Sequence, residues 1–155
     1  MTLAPDVRPL AAADPADAVR RLRAAGLRIS TPRRLLIDAL FAADGPVSAA
    51  RLVVALAIDE SSVYRNLEVL ERHGLVRHLH LGHGPGLYVL SGRDEAEYLY
   101  CERCAKVTVV PPAELDPVRE QIRDRFGHTP RFTHFAIVGL CDACSARAEA
   151  GDQTG

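Results

Sequence analysis

Tryptophan is missing from this 155-residue chain, and methionine and lysine occur once each, as Met1 and Lys106. Long apolar runs are missing too. The longest, Leu52 to Ile58, has seven residues, against the roughly 20 that a bilayer-spanning helix needs. The first residues, MTLAPDVRPLAAAD, contain no apolar stretch of the secretory kind, so the expected location is the cytoplasm and no membrane partner is expected. No Ser/His/Asp set, phosphate loop or open metal site with a paired base presents itself. The expectation is therefore a protein that is not an enzyme and has no small-molecule substrate. What remains is 48% hydrophobic and 25% charged residues, a globular composition with room for one domain or two small ones.

The net charge of −1 hides an uneven distribution. Residues 1–92 hold 11 basic against 9 acidic side chains, whereas residues 93–155 hold 8 against 11. From Ala18 to Ile37 there are six arginines and no acid. A local basic stripe of this kind suits a polyanionic partner.

Asp14-Pro15 reads as an N-cap and a first helical residue, opening a helix that runs to Ala25 and stops at Gly26. Ser30-Thr31-Pro32 starts a second helix that ends before Gly45-Pro46; Ser48 caps a third through Leu56, and Asp59 a fourth from Glu60 to His73. After Gly74 the period becomes two: LVRHLHL and LYVL flank a glycine-rich turn and predict a β-hairpin. Helices followed by a hairpin suggest a winged helix. Beyond a hinge at Ser91-Gly92, EYLYC and KVTVV read as strands, Asp116-Pro117 caps a helix with Leu115, Val118, Ile122 and Phe126 inward, and FTHFAIV reads as a third strand. The overall class is α/β (α+β). The expected boundaries are a tail at 1–13, a winged helix-turn-helix domain at 14–92, a small α/β domain at 93–147 and a tail at 148–155.

All four cysteines fall in two CxxC pairs, Cys101/Cys104 and Cys141/Cys144, separated by 36 residues. Two thiolates at this spacing reach one ion from a tight knuckle, and two knuckles complete the tetrahedral sulfur set that Zn²⁺ accepts. Four sulfurs leave no open position, so this zinc is structural. Redox motifs or disulfides are the alternatives. A segment of about 55 residues also needs a staple, because so short a chain buries little core.

The fourth helix begins Ser61-Ser62-Val63-Tyr64-Arg65-Asn66. The hydroxyls, phenol, guanidinium and amide of Ser61, Ser62, Tyr64, Arg65 and Asn66 suit phosphates and base edges when a helix N-terminus enters the major groove. Arg28 and Arg33 of the basic stripe add backbone attraction. An ordinary solvated helix face is the alternative.

GLRISTPRRLLIDAL, SSVYRNLEVLERHGLV, the two CxxC pairs and HFAIVGLCDAC together resemble a ferric uptake regulator (Fur) family repressor, from about Ala16 to Cys144. The resemblance implies a homodimer on double-stranded operator DNA, a C-terminal α/β dimerisation domain and a regulatory metal near the domain junction. It also implies that Tyr64 and Arg65 match the family's DNA-contacting pair. The link around Ala57-Ile58-Asp59 is a few residues shorter than is usual in the family.

Family members usually carry alternating histidines before the first CxxC, where this chain has Ala96 and Tyr98, and the corresponding helical-domain histidine is Gly45. That site is expected to be dismantled, with Glu95 and Glu97 as solvated carboxylates rather than oxygen ligands. HLHLGHG and THFAIVGLC instead resemble the nickel-responsive branch, whose nickel ligands fall at His78, His80 and His134. Imidazole suits Ni²⁺ and also Zn²⁺ or Cu²⁺. His78 and His80 alternate onto one face of the wing strand. The expectation is that wing and dimerisation-domain histidines clamp one ion between two lobes. Exposed or packed strand histidines are the alternative for these three; His83 reads as a turn residue, His73 as a helix-end cation, and His128 has no evident role. A zinc-responsive or metal-blind regulator of the same fold, or a zinc-stapled protein-interaction module, are the competing readings.

Overall fold

The structure, a computed structural model, describes residues 7–92 and 96–152; Glu95, one of the two carboxylates weighed as metal ligands, lies outside them. The chain forms two compact units. One takes the chain up to Leu79 and resumes at Pro85; the other takes His80–Gly84 and the chain from Ala96 onward. The division therefore differs from a single hinge at Ser91-Gly92, because the tip of the predicted hairpin is grouped with the second unit.

In the first unit, helices α1 (Pro15–Ala24), α2 (Thr31–Ala42), α3 (Ala49–Leu56) and α4 (Glu60–Arg72) begin where their capping residues stand. Asp14 accepts from the Asp17 N–H, Ser48 from that of Arg51 and Asp59 from that of Ser62, each satisfying a donor the helix leaves open. Ser30 flanks α2 without such a bond. The short link between α3 and α4 closes because Ala57 adopts the left-handed region at φ 50°, a conformation that costs a residue with a Cβ roughly 1–3 kcal/mol. Leu22, Leu36, Ile37, Val63, Leu67, Leu70 and Leu75 are wholly buried where the helices meet. Burial of each such leucine is worth about 1.5–3 kcal/mol, and this is the core that orients α4.

Strands β2 (Val76–His80) and β3 (Gly86–Leu90) are the hairpin. A two-residue strand β1 (Val47–Ser48) joins it, pairing antiparallel with β3 through Val47↔Tyr88 and Ser48↔Leu87, so the sheet order is β1-β3-β2. This completes a winged helix. Two residues carry no readable alternation, and β1 left no mark in the sequence. Part of the predicted N-terminal tail is tied down. The Leu10 N–H donates to the Gly74 carbonyl at 2.9 Å, that of Ala13 donates to Asp17, and Leu10 and Ala12 pack on the core.

In the second unit β4 (Glu97–Cys101) pairs antiparallel with β5 (Val107–Val110) and parallel with β6 (Ile137–Gly139). A 3-10 turn (Pro112–Leu115) and α5 (Asp116–Phe126) make the crossover, and α6 (Asp142–Asp152) follows. Three expectations are corrected. The third strand spans Ile137–Gly139 rather than the whole of FTHFAIV, since ahead of it only an isolated bridge, His80↔Phe135, is made. Of the face predicted to point inward, Leu115 is buried in the 3-10 turn and Ile122 is half-buried, whereas Val118 and Phe126 are 41% and 73% exposed. Residues 148–152 continue α6 instead of beginning a tail.

Candidate metal centre and nucleic-acid interface

The sheet register of the second unit places both CxxC knuckles at one end. Cys101 ends β4, its partner across the parallel ladder is Gly139, and Cys141 follows two residues later. The turn from β4 to β5 is closed by the Cys101 N–H donating to Lys106 and the Ala105 N–H donating to Cys101, with Ala105 in the left-handed region at φ 60°. On the other knuckle the N–H groups of Cys144 and Ser145 both donate to the Cys141 carbonyl, and Arg103 crosses to the Cys144 carbonyl at 3.1 Å.

All four cysteines are free, and their sulfurs lie within 4.8 Å of one another. The Cys104 and Cys141 sulfurs are 3.8 Å apart. Zinc–sulfur bonds of about 2.3 Å at tetrahedral angles require an edge of about 3.8 Å, so the donor set fits zinc in both chemistry and spacing. Backbone N–H groups of Cys141 and then Cys104 favour the Cys101 thiolate and hold its pKa down at about 6. Burial, reinforced by the neighbouring thiols, pushes Cys144 up to about 12. Clustered thiolates need a cation to coexist in so buried a place. Cys101 and Cys144 are buried, Cys104 is exposed.

The two strand positions ahead of the first CxxC pair are taken up by packing. Ala96 and Tyr98 are buried. Glu97 is not the solvated carboxylate expected: it is 2% exposed and ion-paired with Arg119 of α5. Arg119 also donates to the Pro112 carbonyl at 2.9 Å and to Asp116 at 2.8 Å, and lies over the Phe132 ring.

His80 and His134 come together within the second unit. The His80 N–H donates to the His134 carbonyl, the Ala136 N–H donates to that of His80, and the two rings meet edge-on with centroids 5.3 Å apart. His78 stands two residues before His80 on β2, half-buried beside Tyr88. Burial and then the charge of Glu71 raise the Tyr88 phenol to about 12, so it stays neutral. His73 caps α4, its ring nitrogen 2.9 Å from the Val69 carbonyl, while His83 and His128 are exposed.

At the start of α4 Ser61, Tyr64 and Arg65 are exposed and Ser62 is half-buried. Asn66 departs from expectation: it is buried, and its amide donates to the Ser62 carbonyl at 2.8 Å, because its place on the helix faces the core beside Leu67 and Leu70. The basic stripe is largely partnered. Asp17 holds Arg20 and Arg21, Asp38 holds Arg34, and Arg33 bends back onto the Arg28 carbonyl with its Nε buried and unpaired. Arg23 and Arg28 are exposed. Asp17 is buried, but the arginine side of each of these ion pairs is exposed, so the guanidinium groups remain open to other anions.

A winged helix followed by a small α/β unit with four clustered thiols is an architecture suited to a DNA-binding protein. The profile described as "Ferric uptake regulator family" matches residues 24–134, and the chain belongs to that family. A ferric uptake regulation protein of Neisseria meningitidis is 22% identical over 137 residues, covering 84% of this chain and 95% of its own. A peroxide-responsive repressor of Staphylococcus saprophyticus is 26% identical over 133 residues, covering 83% and 89%. Among solved structures, the ferric uptake regulator of Helicobacter pylori, described with three functional metal-binding sites, superimposes with a TM-score of 0.69 at 18% identity, covering 90% of this chain and 97% of its own. A zinc uptake regulator complexed with zinc and DNA gives 0.54 at 24%, covering 88% and 95%. Among the described residues no helix is long and apolar enough to cross a membrane.

Proposed function

We propose that the protein is a metal-dependent transcriptional repressor that binds operator DNA as a homodimer. Cys101, Cys104, Cys141 and Cys144 hold structural zinc, and His78, His80 and His134 ligate a regulatory divalent ion, nickel in the first place and zinc as runner-up. Ser61, Ser62, Tyr64 and Arg65 lie on the DNA-facing turn of α4, with Arg28 and Arg33 toward the backbone. Asn66 supports that turn from inside. The exposed apolar side chains of the second unit, Val109, Phe126, Val138 and Leu140 among them, support self-association, since a monomer rarely leaves so many uncovered.

The strongest support for a sensor at the histidines is the meeting of His80 and His134 while Ala96 and Tyr98 fill the other candidate position. Neutral imidazole offers nitrogen ligands suited to nickel, copper and zinc. An ion held more tightly in the DNA-competent state raises operator affinity by a coupling of about 1–3 kcal/mol, or 5–150-fold.

The test is operator binding by fluorescence anisotropy, with Ni²⁺ or Zn²⁺ titrated into zinc-loaded wild type, His78→Ala and His134→Ala. Loss of the metal response in both variants is expected. A response identical to wild type in both removes the histidine sensor, and operator binding indifferent to metal in wild type favours the metal-blind regulator.

A further inference from the structure

Glu71 occupies the last turns of α4, the same helix that presents Tyr64 and Arg65 at its start. Seven residues on, β2 brings His78 back beside it, and the His78 Nδ1 lies 2.5 Å from Glu71 Oε1. The two side chains are 16% and 12% exposed. An ionised carboxylate has only acceptors, so in a neutral imidazole facing it the Nδ1 carries the proton of this bond and the lone pair is on Nε2. A histidine that ligates through one nitrogen is commonly held in this way by a carboxylate on the other, which fixes tautomer and ring plane and raises basicity.

We propose that Glu71 is the positioning residue of His78: it commits Nε2 to the regulatory ion and fastens the ligand-bearing strand β2 to the helix that reads DNA. The proposal rests on His78 serving as a ligand. It adds a mechanical consequence, because any reorientation of the His78 ring is passed by one short hydrogen bond to the far end of α4. A mere helix–strand pin would stabilise the winged helix equally well and leave metal affinity untouched.

The experiment compares full-length, zinc-loaded wild type, Glu71→Gln, Glu71→Ala and His78→Ala. Ni²⁺ affinity is measured by competition with a chromophoric chelator, and the imidazole tautomer by ¹H–¹⁵N correlation before nickel is added. Removing an outer partner of this kind costs about 10–100-fold in metal affinity. That loss is expected for Glu71→Ala, with a smaller one for Glu71→Gln, which keeps an acceptor. Wild type should show the Nδ1–H form of His78 and Glu71→Ala a mixture, and Glu71→Ala should cost nothing further once His78 is alanine. Unchanged nickel affinity in Glu71→Ala beside a loss in His78→Ala overturns the proposal and leaves the sensor standing. Unchanged affinity in His78→Ala removes the sensor itself. Disappearance of an oxygen ligand from the nickel absorption spectrum of Glu71→Ala overturns the positioning role in favour of direct ligation. The near-isosteric Gln variant and its tautomer keep the test decisive if the Ala variant does not fold.

Discussion

The backbone N–H of His80 donates to the carbonyl of His134 at 2.9 Å, and His80 accepts in turn from Ala136 at 3.2 Å. These two bonds run the end of the wing strand parallel to the segment ahead of β6. They set two imidazoles side by side through main-chain pairing, which a sequence reading of two separate lobes does not anticipate. Next to them Gly82, at φ 63°, lies so close to Tyr100 that a Cβ would stand 2.4 Å from its ring.

Gly82→Ala is therefore expected to loosen the wing tip from Tyr100 and to destabilise the protein by roughly 1–3 kcal/mol, the cost of a strained backbone position reinforced by the clash. Gly26→Ala is the control. Gly26 has φ 85° with open space around its Cβ position, so only the conformational cost of about 1 kcal/mol remains. Urea denaturation of both variants measures the difference; equal losses would mean that the contact with Tyr100 contributes nothing.

On α4, exposure separates the proposed DNA contacts, Tyr64 and Arg65, from the buried Asn66. Arg65→Ala should weaken duplex binding by about 1–3 kcal/mol if the guanidinium reads a base, or reduce the salt slope by about one if it meets a phosphate. Asn66→Ala removes the bond to the Ser62 carbonyl and should lower the thermal midpoint, with a fall in affinity only in proportion. Anisotropy at several salt concentrations beside melting curves distinguishes the two. A melting loss for Arg65→Ala and none for Asn66→Ala would reverse the assignment.

The cysteine cluster predicts one zinc per chain, released together with the fold of the second unit. Cys104→Ser removes an exposed ligand without opening a core cavity, so its effect reports coordination rather than packing. Structural zinc contributes about 10–16 kcal/mol in isolated fingers. The expected result is loss of zinc by elemental analysis together with loss of the second unit's strand signal in circular dichroism. A zinc-free variant that keeps that signal would show that the unit does not depend on its staple.

The parts legible in the sequence were those set by local chemistry. Asp14, Ser48 and Asp59 each mark a helix start because a cap acts on the backbone within three residues of itself. The cysteine spacing declares its ligand geometry in the same way. What escaped was set by distant partners. β1 exists only because β3 offers it an edge. Asn66 resembles a DNA reader until the rotation of α4 against the core is known. The apolar period of α5 predicts a buried face, yet that period only requires some surface to cover it, and within this unit nothing buries Val118 or Phe126. Glu97 looked solvated because its cation, Arg119, lies 22 residues away.

Arg119 is expected to be the most sensitive charged side chain of the second unit. It neutralises a carboxylate that is 2% exposed and whose Oε2 has no hydrogen-bond partner among the described residues. Removing one member of a buried pair costs about 3–5 kcal/mol, because the remaining ion keeps its desolvation without its partner, whereas replacing both members by apolar groups is often neutral. Arg119→Ala should therefore lower the urea midpoint strongly, and Glu97→Leu combined with Arg119→Met should recover most of the loss. Glu97→Leu leaves the arginine only 18% exposed but still bonded to Pro112 and Asp116, so it should cost less than Arg119→Ala. Additive losses in the double variant would mean that the two side chains stabilise the unit separately, through packing rather than through their charge pair.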